Sequence, residues 1–207
     1  NYDVNLYTRQ KQKGNTHVYK MNVELNFTDG VNDTNIVFLI DNYTNNFSVT
    51  LPFNPLWISV DRNEKMMDAI TDYEKTISTI GANSFPETNV SLSVQDTGAE
   101  KSIVRIEHNW VVPDFFKDTN TVIRLSDYHY WKVDGIFASG FRSKATFTYD
   151  GSSNGTTGYI DNTLIITNED SLLILYRQGA GDDWKIVNGY THNKGITSDK
   201  KGNFVVD

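Results

Sequence analysis

The sequence predicts an all-β protein organised as two antiparallel β-sandwich domains of the immunoglobulin-like kind. Three observations predict it. Apolar residues recur mainly at every second position, the segments that carry them are short, and Gly, Asn and Asp residues separate them. A period of two sends successive side chains to opposite faces, so each segment is a strand with one buried and one wet face.

The clearest strand runs through Tyr19, Met21, Val23, Leu25 and Phe27, which alternate with Lys20, Asn22, Glu24 and Asn26. Thr28-Asp29-Gly30 closes it as a turn, because Gly tolerates positive φ. Val4 and Leu6 mark a strand before it. Ile36–Ile40 forms a short apolar run broken by Asp41–Asn45, and Phe47, Val49 and Leu51 alternate again. Pro52 and Pro55 bracket a kink before Leu56, Ile58 and Val60. Residues 62–74 lose the alternation. Met66, Met67, Ala69, Ile70 and Tyr73 sit near helical spacing, which predicts a short helix or an irregular connector. The expected domains are therefore a small sandwich over 1–62, a connector over 63–80 and a second sandwich over 81–207.

In the second part Val90, Leu92 and Val94 alternate, and Val104, Ile106, His108, Trp110 and Val112 form one face of a long strand ended by Pro113. Strands are further predicted at Thr121–Leu125, Tyr130–Phe137, Ala145–Tyr149, Leu164–Thr167, Leu172–Tyr176 and Trp184–Val187, with another begun at Asn203.

Composition narrows the function. The chain has 26 acidic against 19 basic residues and a formal charge of −7, which repels nucleic acid and anionic headgroups. Its basic cluster, Arg9, Lys11 and Lys13, reads as a solvated loop. The 207 residues include no Cys, so disulfides, thiolate zinc sites and cysteine nucleophiles are excluded. The same lack of Cys, with a surface vocabulary of Asn, Thr, Ser and Asp, points to an exported protein. No apolar run approaches the ~20 residues of a spanning helix, so no membrane span is expected. A start at Asn1 without methionine suggests an excised piece of something longer.

Motifs for chemistry are few. The histidines are His17, His108, His129 and His192, and none pairs with another at the one-turn helical spacing that zinc hydrolysis uses. Glu107 and His108 are strand neighbours facing opposite ways. Gly151-Ser152-Ser153-Asn154-Gly155 fits Gly-x-Ser-x-Gly, and Asp161, Asp170 and His192 follow in hydrolase order. That elbow needs a helix after it. Thr156-Thr157-Gly158-Tyr159 reads instead as a hairpin loop. The Asp182-Asp183 and Glu169-Asp170 pairs sit in turns, and the Asp29, Asn32, Asp33 loop lacks EF-hand spacing. No catalytic, cofactor or metal residue is therefore expected. The aromatics Tyr128, Tyr130 and Trp131 are the best ligand-stacking candidates, with Tyr130 and Trp131 foremost; burial in the core is the competing reading.

Two stretches carry a resemblance. Tyr19 through Gly30, Phe47-Ser48-Val49 and Pro55 through Asp61 look like the small β-sandwich that follows the catalytic domain of M1-family (aminopeptidase N-like) zinc metallopeptidases. Ile106 through Asp114, Tyr130 through Phe137 and Asp170 through Arg177 with Trp184 are similar to the extra C-terminal β region of secreted bacterial members. The resemblance implies a non-catalytic accessory region, structural or for substrate access, beside a peptidase catalytic domain as partner. It implies secretion or display at the cell surface. Zinc is implied only for the parent enzyme, whose ligands and Gly-x-Met-Glu-Asn motif have no counterpart here. The alternative is an extracellular module binding a glycan or a cell-surface ligand.

Overall fold

Strand β2 (Met21–Thr28) organises the first part of the chain. The computed structural model describes residues 1–11, 17–153, 160–196 and 199–207, and the chain divides into two units, Asn1–Asp68 and Ala69–Asp207. All the regular elements among the described residues are strands, and all their pairings are antiparallel.

In the first unit, β2 lies between β3 (Asp33–Ile40) and β5 (Trp57–Val60), while β1 (Tyr2–Arg9) pairs with β4 (Thr44–Leu51). The predicted alternation sets the register. Leu25, Phe27, Phe38, Ile40 and Leu51 share one core with Val4, Leu6 and Val49, so both sheets contribute to it. Complete burial of a side chain such as Phe27 contributes about 1.5–3 kcal/mol. The opposite face of β2 is buried as well. Asp61 adopts φ +47°, and its carboxylate accepts the Lys65 and Met66 amides at 3.0 and 2.8 Å. That turn folds the chain back. Arg62 then donates to Asn26, Asn63 donates to Glu24, and Lys65 forms an ion pair with Glu24.

The second unit contains β6 (Ile70–Ile77), β7 (Gly81–Phe85), β8 (Val90–Asp96), β9 (Ser102–Asn109), β10 (Tyr130–Ile136) and β11 (Arg142–Asp150). Then come β12 (Leu175–Tyr176), β13 (Lys185–Ile186), β14 (Thr191–Asn193) and β15 (Lys201–Val206). One sheet has the order β10-β9-β6 and another β14-β15-β11-β8-β7; β12 and β13 form a separate ribbon. Ile77, Phe85, Val90, Leu92, Val94, Val104 and Ile106 make the main core, drawn from both larger sheets, with Trp131 and Phe147 against it. Tyr149, Ile165 and Phe204 make a smaller one.

Three expectations need correction. Of the short helix and the irregular connector expected after residue 62, residues 62–69 form the irregular one, but from Ile70 the window is β6, whose Ile70 and Ile77 pair with Asn109 and Ser102 of β9. The helical spacing of Met66 through Tyr73 was a coincidence of a folded-back turn running into a strand. Thr121–Leu125 is not a strand, because Thr121 Oγ1 accepts the Ile123 amide and Arg124 bonds the Thr163 carbonyl. Leu164–Thr167 is a turn, since the Leu164 and Ile165 amides both bond the Asp161 carbonyl. That turn drives Ile165 into the smaller core against Gly151, where a β-carbon would overlap the Ile165 side chain.

Candidate functional site

His108 follows Val104 and Ile106 on the apolar face of β9 and is fully buried. Opposite it in register is Trp131. The His108 ring stacks on Trp110 at 3.9 Å and on Trp131 at 4.9 Å, and its Nε2 lies 2.8 Å from His129 Nδ1. His129 is aimed inward by a turn in which Ser126 Oγ accepts the Tyr128 and His129 amides. Its Nε2 lies 2.8 Å from Asp161 Oδ1, while Asp161 Oδ2 accepts the Asp150 amide. The three side chains form a buried line, His108–His129–Asp161.

The proton positions follow from donor counting. A carboxylate only accepts, so His129 Nε2 carries its hydrogen toward Asp161. His129 Nδ1 and His108 Nε2 then share one hydrogen. Among the described residues His108 Nδ1 has no partner, and placing the hydrogen on His108 Nε2 leaves no N–H stranded there. Burial, and then the neighbouring His129, push the His108 pKa down to about 3. His108 is therefore neutral when folded and takes up a proton near its ordinary 6.5 when unfolded. Between those values the unfolded state binds more protons, so this contribution to stability is complete above 6.5 and falls as pH drops toward 3. Burial lowers His192 and so acts in the same sense. Burial raises Glu169, which acts in the opposite sense. A His108→Gln chain is expected to show a shallower fall in urea midpoint between pH 6.5 and pH 4 than the parent. Equal slopes would refute the account.

His192 and Tyr149 make a second polar group. The Tyr149 hydroxyl lies 2.7 Å from His192 Nε2, and the fully buried Glu169 interacts with the same Tyr149 side chain. Burial, followed by the charge of Asp199, holds Glu169 toward its protonated form.

The hydrolase-order residues are not brought together. Asp161 faces His129, His192 faces Tyr149, and Asp170 pairs with Lys194 at 2.6 Å. Ser153 is exposed; Asn154, Gly155 and the following Thr156–Tyr159 lie outside the described residues, as does Lys13 of the basic cluster. The Asp29 carboxylate accepts the Val31 and Asn32 amides and the Asn32 side chain, the work of a turn former. Asp183 accepts the Lys117, Asp118 and Trp184 amides. Among the described residues no group of three His, Cys, Asp or Glu side chains is placed to hold a metal ion, and no helix is long and apolar enough to cross a membrane.

Tyr130 and Trp131 take opposite faces of β10. Trp131 packs on the main core and donates its indole N–H to the Thr88 carbonyl at 2.7 Å. Tyr130 lies near Asp114 and Arg177, where burial, then the Asp114 charge, raises its hydroxyl pKa. Arg177 pairs with Asp114 at 2.9 Å and covers the Trp184 ring at 4.5 Å. Both Tyr130 and Trp131 line a largely apolar cavity of about 1020 Å³ with Phe147, Leu164, Ile174 and Trp184. Among the described residues β10 ends its sheet, and five of its side chains from Tyr130 to Asp134 line the cavity.

Comparison with family models, curated proteins and solved structures finds no match to this chain in any of the three.

A second cleft, of about 710 Å³, shares His129, Tyr149 and Asp161 with the first and adds Trp110, Glu87 and Asn89. His129 and Asp161 therefore stand between the two spaces. Sequence reasoning did not single out Trp110 as a ligand contact. Its even spacing from His108 marked it as core, and its half-exposed position comes from lying just past the end of β9.

Proposed function

We propose that this chain is a non-catalytic accessory region of an exported, M1-type zinc peptidase, made of two immunoglobulin-like β-sandwiches that serve stability or substrate access. One observation carries the reading: among the described residues, His108, His129 and Asp161 are bound to one another inside the fold. His129, the histidine best placed as a base, has both ring nitrogens engaged, by Asp161 and by His108. A base needs a free nitrogen within reach of the proton it abstracts. The antiparallel sheets converging on shared cores support the sandwich assignment, and the quoted sequence resemblance supports the peptidase setting. The gene supplies the test. A His-Glu-x-x-His segment encoded upstream of Asn1 is expected, and the purified chain should leave aminoacyl p-nitroanilides intact. An upstream region without such a segment would remove the peptidase parentage, and hydrolysis by the chain alone would remove the non-catalytic role.

A second reading, an extracellular glycan- or surface-binding module, is favoured by the cleft at Trp110, which is lined by an aromatic ring and several planar polar side chains.

A further inference from the structure

We infer that the cleft at Trp110 is a binding site for a neutral oligosaccharide, with the indole as the stacking platform and Glu87, Asn89 and Asn203 as the hydroxyl-binding groups. The inference rests on the second reading above and moves the ligand contact from Tyr130 and Trp131 to a different aromatic.

The platform is fixed before any ligand arrives. One ring face of Trp110 rests on His108, and its indole N–H donates to Thr71 Oγ1 at 2.9 Å. Thr71 Oγ1 donates in turn to the Glu87 carbonyl at 3.2 Å, so the ring and the opposing turn are linked through one hydroxyl. A rigid aromatic in a cleft loses little side-chain entropy on binding.

The turn beside it is held in an uncommon shape. Glu87 and Asn89 both adopt left-handed backbone conformations, φ +66° and +59°, which is unusual for Glu. Between them Thr88 is fully buried, bonded through its hydroxyl to the Phe85 carbonyl at 2.8 Å and through its own carbonyl to Trp131. The Asn89 carbonyl accepts the Thr148 amide. Anchoring Thr88 inward leaves the Glu87 and Asn89 side chains exposed beside Trp110. Strain of this kind, of order 1–3 kcal/mol per residue, collects where a turn presents groups to a ligand.

The chemistry of the wall selects the ligand. An indole face covers the C–H face of a pyranose ring, while carboxylate and amide groups bond adjacent hydroxyls as donors and acceptors. Lys201, which also lines the cleft, is paired with Asp150 at 3.1 Å, so it offers no unbalanced positive charge to an acidic sugar. With a formal charge of −7 on the chain, the favoured glycan is uncharged.

Isothermal titration of the whole chain with cellohexaose, xylohexaose, chitohexaose and hexagalacturonic acid tests this. At least one of the three neutral probes should bind. Trp110→Ala should weaken that binding at least tenfold and Glu87→Ala several-fold, while Tyr128→Ala, at an exposed aromatic outside the cleft, leaves it unchanged. Because Trp110 also supports His108, Trp110→Phe and Glu87→Ala decide the matter if Trp110→Ala melts early. Preference for hexagalacturonic acid, no binding of any neutral probe at millimolar concentration, or binding indifferent to Trp110 and Glu87 would overturn the site. Attachment of the chain to bacterial cell-wall material that survives the Trp110 and Glu87 substitutions would overturn this site while leaving the broader surface-binding reading in place.

Discussion

Replacing Gly135 by alanine is expected to unfold residues 69–207 well below the melting temperature of the parent chain. Gly135 sits in β10 opposite Val104 with φ +141°, a conformation that side chains rarely adopt. A β-carbon there would overlap the carbonyl oxygen of Ile103 on β9, which is backbone and cannot turn aside. Relief requires β9 and β10 to separate, and β9 supplies Val104 and Ile106 to the main core. The combined cost is about 4 kcal/mol or more, a large part of the roughly 5–15 kcal/mol that stabilises a domain. Gly181→Ala is the matched control, since an added carbon there meets nothing within 4 Å. Thermal unfolding followed by near-UV circular dichroism should separate the two variants widely. Coincident melts would show that the strands yield more easily than the geometry implies.

Asp161→Ala is expected to cost about 3 kcal/mol, the usual scale for stranding a buried, charge-assisted partner. The substitution leaves the His129 Nε2 hydrogen and the Asp150 amide without their acceptor in a region only about 5% exposed. Asp161→Asn keeps one acceptor oxygen and should cost roughly 1 kcal/mol. Hydrogen exchange read by mass spectrometry over residues 104–109 is the sharper measurement, because His108 lies in that strand. Unchanged protection there in the alanine variant would mean that water replaces the carboxylate without loss, and that the line of three side chains contributes nothing to holding β9.

Much of the fold was legible because period-two alternation is a direct image of one-sided burial. Val23, Leu25 and Phe27 had one face in common in the sequence and have it in the structure. Leu164 and Ile165 show where that logic fails. An apolar run buried by a turn has the same composition as one buried by a strand, and only the Asp161 carbonyl, which accepts both amides, distinguishes them. Strand β7 went unread because Gly81–Phe85 contributes one fully buried side chain, Phe85, and no alternation. The polar line was hidden for a different reason. His108, His129 and Asp161 are 21 and 32 residues apart along the chain, and no local spacing encodes their meeting. Trp131 packs against the main core although Val133, two residues on, is exposed, and the half-exposure of Trp110 follows from its place just past the end of β9.

The placement of β15 has a consequence for biosynthesis. The last strand of the described chain is not at a margin: it inserts between β14 and β11, with Phe204 opposite Phe147 and His192. Residues 201–206 must therefore be synthesised and reach the sheet before its five strands can close. Until then β11 presents bare amides and carbonyls along one side, the kind of template on which nascent chains aggregate. Chains cut before Lys201 should therefore yield insoluble product, because β11 then lacks its β15 partner.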